Sequence, residues 1–199
     1  MRRWSSPTLL CVMLSLVAAC SSPAATAGSG DEQGPYAPGL TTEVAPVTPE
    51  GRKVGLGEVG SVVVPPAATV EERATSAGTQ QLIITFGDAT VSGVEITWGA
   101  DDPVSVDEQT STREKVARTN QSISDYERAR VTWPGSQQSV LATWKESVPG
   151  AGGDSRSLEG ASLVVQDDTR STVVATGYAP EGQWRGSDAE SVVLSLTLG

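Results

Sequence analysis

The chain has 199 residues, 38% of them hydrophobic, with 24 acidic and 14 basic side chains and a formal charge of −10, which allows one domain and a tail. It contains no histidine, and this excludes Ser-His-Asp and Cys-His nucleophile pairs, histidine general bases and histidine-ligated metals. Its two cysteines, Cys11 and Cys20, stand too early for a disulfide framework or a cysteine-rich zinc site, and the acidic balance argues against a nucleic-acid partner.

The N-terminus reads as an export signal. Arg2 and Arg3 form a positive n-region, and Thr8 to Ala19 form an apolar stretch of 12 residues. That length is too short for a hydrocarbon core of roughly 30 Å and fits a signal-peptide h-region. The stretch closes in Leu16-Val17-Ala18-Ala19-Cys20, which resembles the bacterial lipobox. The resemblance implies cleavage between Ala19 and Cys20, a diacylglyceryl group on the Cys20 sulfur, and acylation of the new amino group. An ordinary signal peptide with an incidental cysteine is the alternative. It fits less well, because Cys20 ends the apolar stretch and a small, polar tail follows at once. The expected location is the extracytoplasmic side of the cell membrane, with the membrane itself as partner through the lipid on Cys20. Two acyl chains give stable anchoring. Loss of Arg2 and Arg3 leaves 12 basic against 24 acidic residues, so the mature charge becomes −12 and the body is repelled by anionic headgroups.

Residues 20–56 carry Pro23, Pro35, Pro38, Pro46 and Pro49 among glycine, alanine, serine and threonine, with no apolar run. This composition predicts a disordered tether with an r.m.s. span of about 30 Å. The folded body is expected over 57–199.

In the body, Gly60 to Val64 predicts a short strand stopped by Pro65-Pro66, and Thr69 to Thr75 an exposed strand. Gln81 to Phe86 reads as a buried strand, paired in a hairpin with the alternating Val94, Ile96 and Trp98. Ser105 and Glu108 form a capping box opening a helix from Val106 to about Arg118, with Glu114 and Arg118 paired and a thin apolar face of Val106, Val116 and Ala117. Strands are predicted at Arg130 to Trp133 and Ser139 to Lys145 around the Pro134-Gly135 turn. Pro149 to Ser157 reads as a loop, and Ala161 to Gln166 and Thr172 to Tyr178 as a hairpin about Asp167 to Arg170.

The C-terminus supports two readings. Ser187 and Glu190 form a second capping box, and Ala189, Val192, Val193 and Leu196 follow a helical spacing. Val192, Leu194, Leu196 and Leu198 also alternate as a strand. The capping box favours a helix with an extended end.

These elements predict a single α+β domain, an antiparallel sheet with about two helices. Their order, with the strand Val62-Val63-Val64-Pro65 and the tail Asp188 to Leu198 carrying Ser195-Leu196, resembles the PsbP-like α/β/α sandwich, also seen in LpqN-type lipoproteins of actinobacteria. The opening strand continues into Pro66-Ala67 where that family has Gly-Trp, so no functional motif carries over residue by residue. The use of 11 arginines against 3 lysines is similar to that of GC-rich actinobacteria. An all-β immunoglobulin-like sandwich is the alternative, favoured by a C-terminal strand.

Chemistry is sparse. There is no G-x-S-x-G elbow, no S-x-x-K and no phosphate-cradling glycine loop. The nearest approach to S-x-x-K is Thr112-Arg113-Glu114-Lys115, read as an exposed helix face. Acids cluster at Asp101-Asp102, Asp107-Glu108 and Asp167-Asp168, where a glycosidase-like pair or a hard-cation site competes with helix-dipole and turn roles, and the latter are favoured. Arg185-Gly186 beside Trp184 either lines a small polar pocket or forms a linking turn, and Asn120-Gln121-Ser122 is a sequon without meaning in a bacterium. Trp98, Trp133 and Trp144 read as core or sheet-face residues rather than a ligand platform. The function expected is binding or assembly in the envelope, with no cofactor and an unknown envelope protein or ligand as partner. A carboxylate-based envelope hydrolase and a lipid or small-ligand carrier are the rivals.

Overall fold

The computed structural model describes residues 41–42, 44–75, 79–87, 92–99, 102–150 and 153–199, all within one compact unit, Pro38–Gly199. Ala19 and Cys20, with the rest of the signal and the first half of the expected tether, lie outside the described residues.

The strands are β1 (Thr41–Thr42), β2 (Arg52–Gly55), β3 (Gly60–Val64), β4 (Thr69–Ala74), β5 (Gln80–Thr85) and β6 (Gly93–Gly99). Helix α1 (Val106–Thr119) follows, then β7 (Ile123–Val131), β8 (Gln138–Pro149), β9 (Ser155–Gln166), β10 (Thr172–Pro180), helix α2 (Asp188–Leu194) and β11 (Thr197–Leu198). Eight strands form one sheet in the order β1-β7-β8-β9-β10-β6-β5-β4, antiparallel except for the β1–β7 pair. A second, three-stranded sheet has the order β11-β3-β2.

The period-2 rule places successive residues on opposite faces of the large sheet, and the burial follows it. Val94, Ile96, Trp98, Leu163, Val165, Val173 and Ala175 point to one face and join Ala189, Val192 and Val193 of α2 and Val62 and Val64 of β3 in the main core. Val140 and Val164 point to the other face, where they meet Val106 of α1. The sheet is therefore covered by α1 on one side, and by α2 with the small sheet on the other. This is an α+β domain, and its helices and single large sheet overturn the immunoglobulin-like alternative.

Both caps form as the residue types require. Ser105 Oγ accepts the Glu108 N–H at 3.2 Å and Ser187 Oγ the Glu190 N–H at 3.0 Å. The C-terminus satisfies both readings in succession: α2 ends at Leu194 and β11 then pairs with β3. Ser195 makes the break, its hydroxyl donating to the Val192 carbonyl at 2.8 Å and accepting the Val63 N–H at 2.8 Å.

Three boundaries differ from expectation. The folded body begins before Gly57: β2 pairs with β3 along Arg52–Gly55, and the Val47 N–H donates to the Leu194 carbonyl at 2.9 Å. Val54 gave no periodic signal, because β2 is four residues long and Val54 alone of them is half-buried against the main core. The loop expected over Pro149 to Ser157 is shorter than that, since β8 and β9 stay paired out to Pro149 and Ser155. Polar composition at that hairpin tip reflects exposure, not absence of pairing. The strand expected from Arg130 to Trp133 begins seven residues sooner, at Ile123, and stops at Val131.

Candidate ligand-binding face

The helix α1 covers β7, β8 and β9, with Val174 of β10 at its edge, and among the described elements none packs on the same face of β6, β5 and β4. Its inward side is narrow and mostly polar, with Val106, Thr110 and Ala117 buried. Arg128 of β7 supplies the rest of the attachment. It donates to Glu114 Oε2 at 2.8 Å and to Thr110 Oγ1 at 3.0 Å, and the Arg128 and Glu114 side chains are only 9% and 12% exposed. Burial pushes the Glu114 carboxyl upward, but hydrogen bonds from Arg118 and Arg128 outweigh it, so the group sits below the usual carboxylate range. The segment Thr112 to Lys115 is thus not a plain solvated helix face, because Glu114 is an anchor.

At the edge of the helix the open face carries an aromatic group. The register sets Trp144 of β8 opposite Gly160 of β9, and Gly160 opposite Tyr178 of β10, on the α1 side of the sheet. The Trp144 indole lies over Gly160, where a Cβ would fall 2.5 Å from the ring, so only glycine admits it. The ring meets Tyr178 edge-on at 5.7 Å between centroids and stacks on Tyr126 at 6.0 Å and 22°. Tyr126 reaches it through a β-bulge. Two residues, Asp125 and Tyr126, stand opposite Trp144, with Asp125 at φ 52°, a left-handed value that aspartate tolerates. The bulge turns Tyr126 to the Trp144 side of the sheet.

Polar groups surround the three rings. Glu95 and Thr97 of β6 and Gln81 of β5 are half-buried on this face, with Gln81 Nε2 donating to Glu95 Oε1 at 2.7 Å. Ser162 and Thr176 share a hydrogen bond of 3.0 Å. Arg113 of α1 overhangs the group within electrostatic reach of Tyr126, Tyr178 and Glu95. Protein surrounds its guanidinium while leaving it open to water, and it makes no hydrogen bond or ion pair with any described residue. Burial pushes its pKa down, and the neighbouring Tyr126, Tyr178 and Glu95 push it back up. Burial also raises the Tyr126 phenol above its ordinary range.

A second concavity, a cleft of about 520 Å³, lies between the start of α1 and the β7–β8 turn. Its polar groups serve the local backbone. Gln138 Oε1 accepts the Val106 N–H, Ser139 Oγ donates to the Val131 carbonyl, Trp133 Nε1 donates to the Leu196 carbonyl, and Arg130 pairs with Asp107. The aromatic face is the stronger site, since its side chains serve no turn or cap.

The other sequence candidates disperse. Asp102 accepts the Val104 N–H and a bond from Gln109, Asp107 pairs with Arg130, and Asp167 Oδ1 closes its turn by accepting the Thr169 and Ser171 N–H groups. Asp101 lies outside the described residues. Among the described residues no three acids or cysteines converge as a metal site. Arg185-Gly186 forms a turn, with the Gly186 N–H donating to Glu190 at 2.6 Å, and Asn120 Oδ1 closes a local turn by accepting from Ser122. Trp98 on β6 is buried in the main core as the strand pattern predicts, Trp133 is buried there from the segment just past β7, and Trp144 faces the open side. The residues missed in the sequence are Glu95, Arg113, Tyr126 and Tyr178. A count of aromatics by strand parity would have found Trp144 and Tyr178, but the bulge conceals the parity of Tyr126.

A scan against protein-family models and a search of curated proteins both return no match for this chain. No described helix is long and apolar enough to cross a membrane.

Proposed function

We propose that this chain is a lipid-anchored, extracytoplasmic binding protein, attached to the membrane through Cys20 and acting by recognition rather than catalysis. The observation that carries the binding role is the aromatic group of Tyr126, Trp144 and Tyr178 on a sheet face that α1 leaves open. Rings left half-exposed beside an arginine without a hydrogen bond to any described residue contribute little to the core, and such surfaces are suited to recognition. The anchor rests on the Leu16 to Cys20 run ending the apolar stretch. We read the fold more finely as a PsbP-like α/β/α sandwich, supported by a helix on each sheet face and by the Ser195 lock onto β3.

Two experiments test the reading. Metabolic labelling with a fatty acid should mark the wild-type chain and not Cys20→Ala, which should also leave the membrane fraction. Retention of label by Cys20→Ala sinks the anchor. A photo-crosslinking amino acid placed at Thr176 should capture an envelope component in intact cells, and one at Glu72 on the outermost strand should not. Equal capture at both positions sinks the binding face.

A further inference from the structure

Resting on that binding role, we infer that the aromatic face takes a neutral saccharide, with a sugar ring stacked on the Trp144 indole and its hydroxyls held by Arg113 and Glu95. A pyranose is apolar across its ring faces and polar around its rim, so it needs a flat aromatic surface bordered by hydrogen-bonding groups. The face has that layout. Trp144 is held flat over Gly160 and braced by Tyr126 and Tyr178, which removes the conformational freedom a ligand would otherwise have to freeze. Arg113 offers a planar fork of donors that makes no hydrogen bond to a described residue, and Glu95 keeps acceptor capacity beyond its bond to Gln81. A planar donor and a planar acceptor, each charged, can grip neighbouring hydroxyls with bonds stronger than those between neutral groups.

Charge selects among the ligands that aromatic rings could stack. The body carries 24 acidic against 12 basic residues once Arg2 and Arg3 are removed, so nucleic acids, anionic lipids and acidic glycans meet net repulsion. Arg113 and Glu95 also stand together as opposite charges on the face, which suits a ligand bearing no net charge.

The test titrates the detergent-solubilised full chain with chitohexaose and with mannohexaose, reading the heat of binding by calorimetry. One of the two should give a saturable change that is lost in Trp144→Ala and partly retained in Trp144→Phe. Arg113→Met, which keeps the aromatic group intact, should weaken binding about tenfold, the scale of one charge-assisted hydrogen bond. Saturable binding that is indifferent to both Trp144 and Arg113, or no binding to either sugar, overturns the saccharide assignment. If crosslinks from Thr176 still form in cells under that outcome, only the ligand class has failed. If those crosslinks are absent as well, the binding role has failed with it.

Discussion

Both faces of the large sheet lay a tryptophan over a glycine, and the two pairs have opposite fates. On the α2 side, Trp184 packs over Gly177, where a Cβ would come within 3.1 Å of the ring and 3.0 Å of Val193, and α2 closes over the pair. On the α1 side, Trp144 lies over Gly160, and α1 stops short of it. The first face is aliphatic at nearly every inward position and has a helix whose Ala189, Val192 and Val193 are fully buried. The second has only Val106, Val140 and Val164 as its buried apolar cluster, and it holds its helix by the Arg128–Glu114 pair. One face makes the protein fold. The other leaves its rings half-exposed.

The contrast breaks most sharply on the core side. Leu163→Ala, at a side chain with no exposure, should lower unfolding stability by about 3 kcal/mol in a denaturant titration. A loss near zero would mean that the α2 face does not dominate the core. On the other face, Glu114→Gln leaves the Arg128 charge buried beside a neutral amide, with an expected loss of about 2 kcal/mol.

Acid sharpens the same point. The folded Glu114 carboxyl lies below its unfolded value, so its contribution is complete above about pH 4.5 and is lost as pH falls through the folded pKa. Glu114→Gln should therefore lose less stability than wild type between neutral pH and about pH 3. An identical acid profile would remove Glu114 as the anchor.

Two smaller effects complete the series. Ser187→Ala removes the α2 cap and should cost about 1 kcal/mol by thermal unfolding. Arg113→Met should change stability by no more than about 0.5 kcal/mol, because the guanidinium makes no bond to a described residue. A large loss there would assign Arg113 to the fold instead of the face.

Much of the fold was legible from local pattern. The strand Gly60–Val64 and the starts of both helices match expectation, because GSVVV stops at Pro65-Pro66 and Ser105 and Ser187 cap their own nearby N–H groups. The strands around Asp167 were also legible, since that aspartate makes its turn with neighbours within four residues. What failed to show was pairing in short or polar hairpins. Val54 looked like tether although it pairs with Val62 of the next strand, and Pro149 looked like loop although it pairs with Ser155 at the polar tip of β8 and β9. The candidate site was almost wholly hidden, because Arg113, Tyr126, Trp144 and Tyr178 come from one helix and three strands.

The sequence by itself determined what depends on chain composition and near neighbours: the absence of histidine and of cysteines beyond Cys20, the acidic charge, the expected export address, the helix caps and the alternation of each strand. Tertiary structure decided which side of each alternating strand is covered. Ile96 and Trp144 both stand on alternating strands, but Ile96 faces α2 and the small sheet while Trp144 faces the space beside α1. That outcome depends on where a helix of 14 residues, held in part by the Arg128–Glu114 ion pair, ends along an eight-stranded sheet, and no local pattern encodes it.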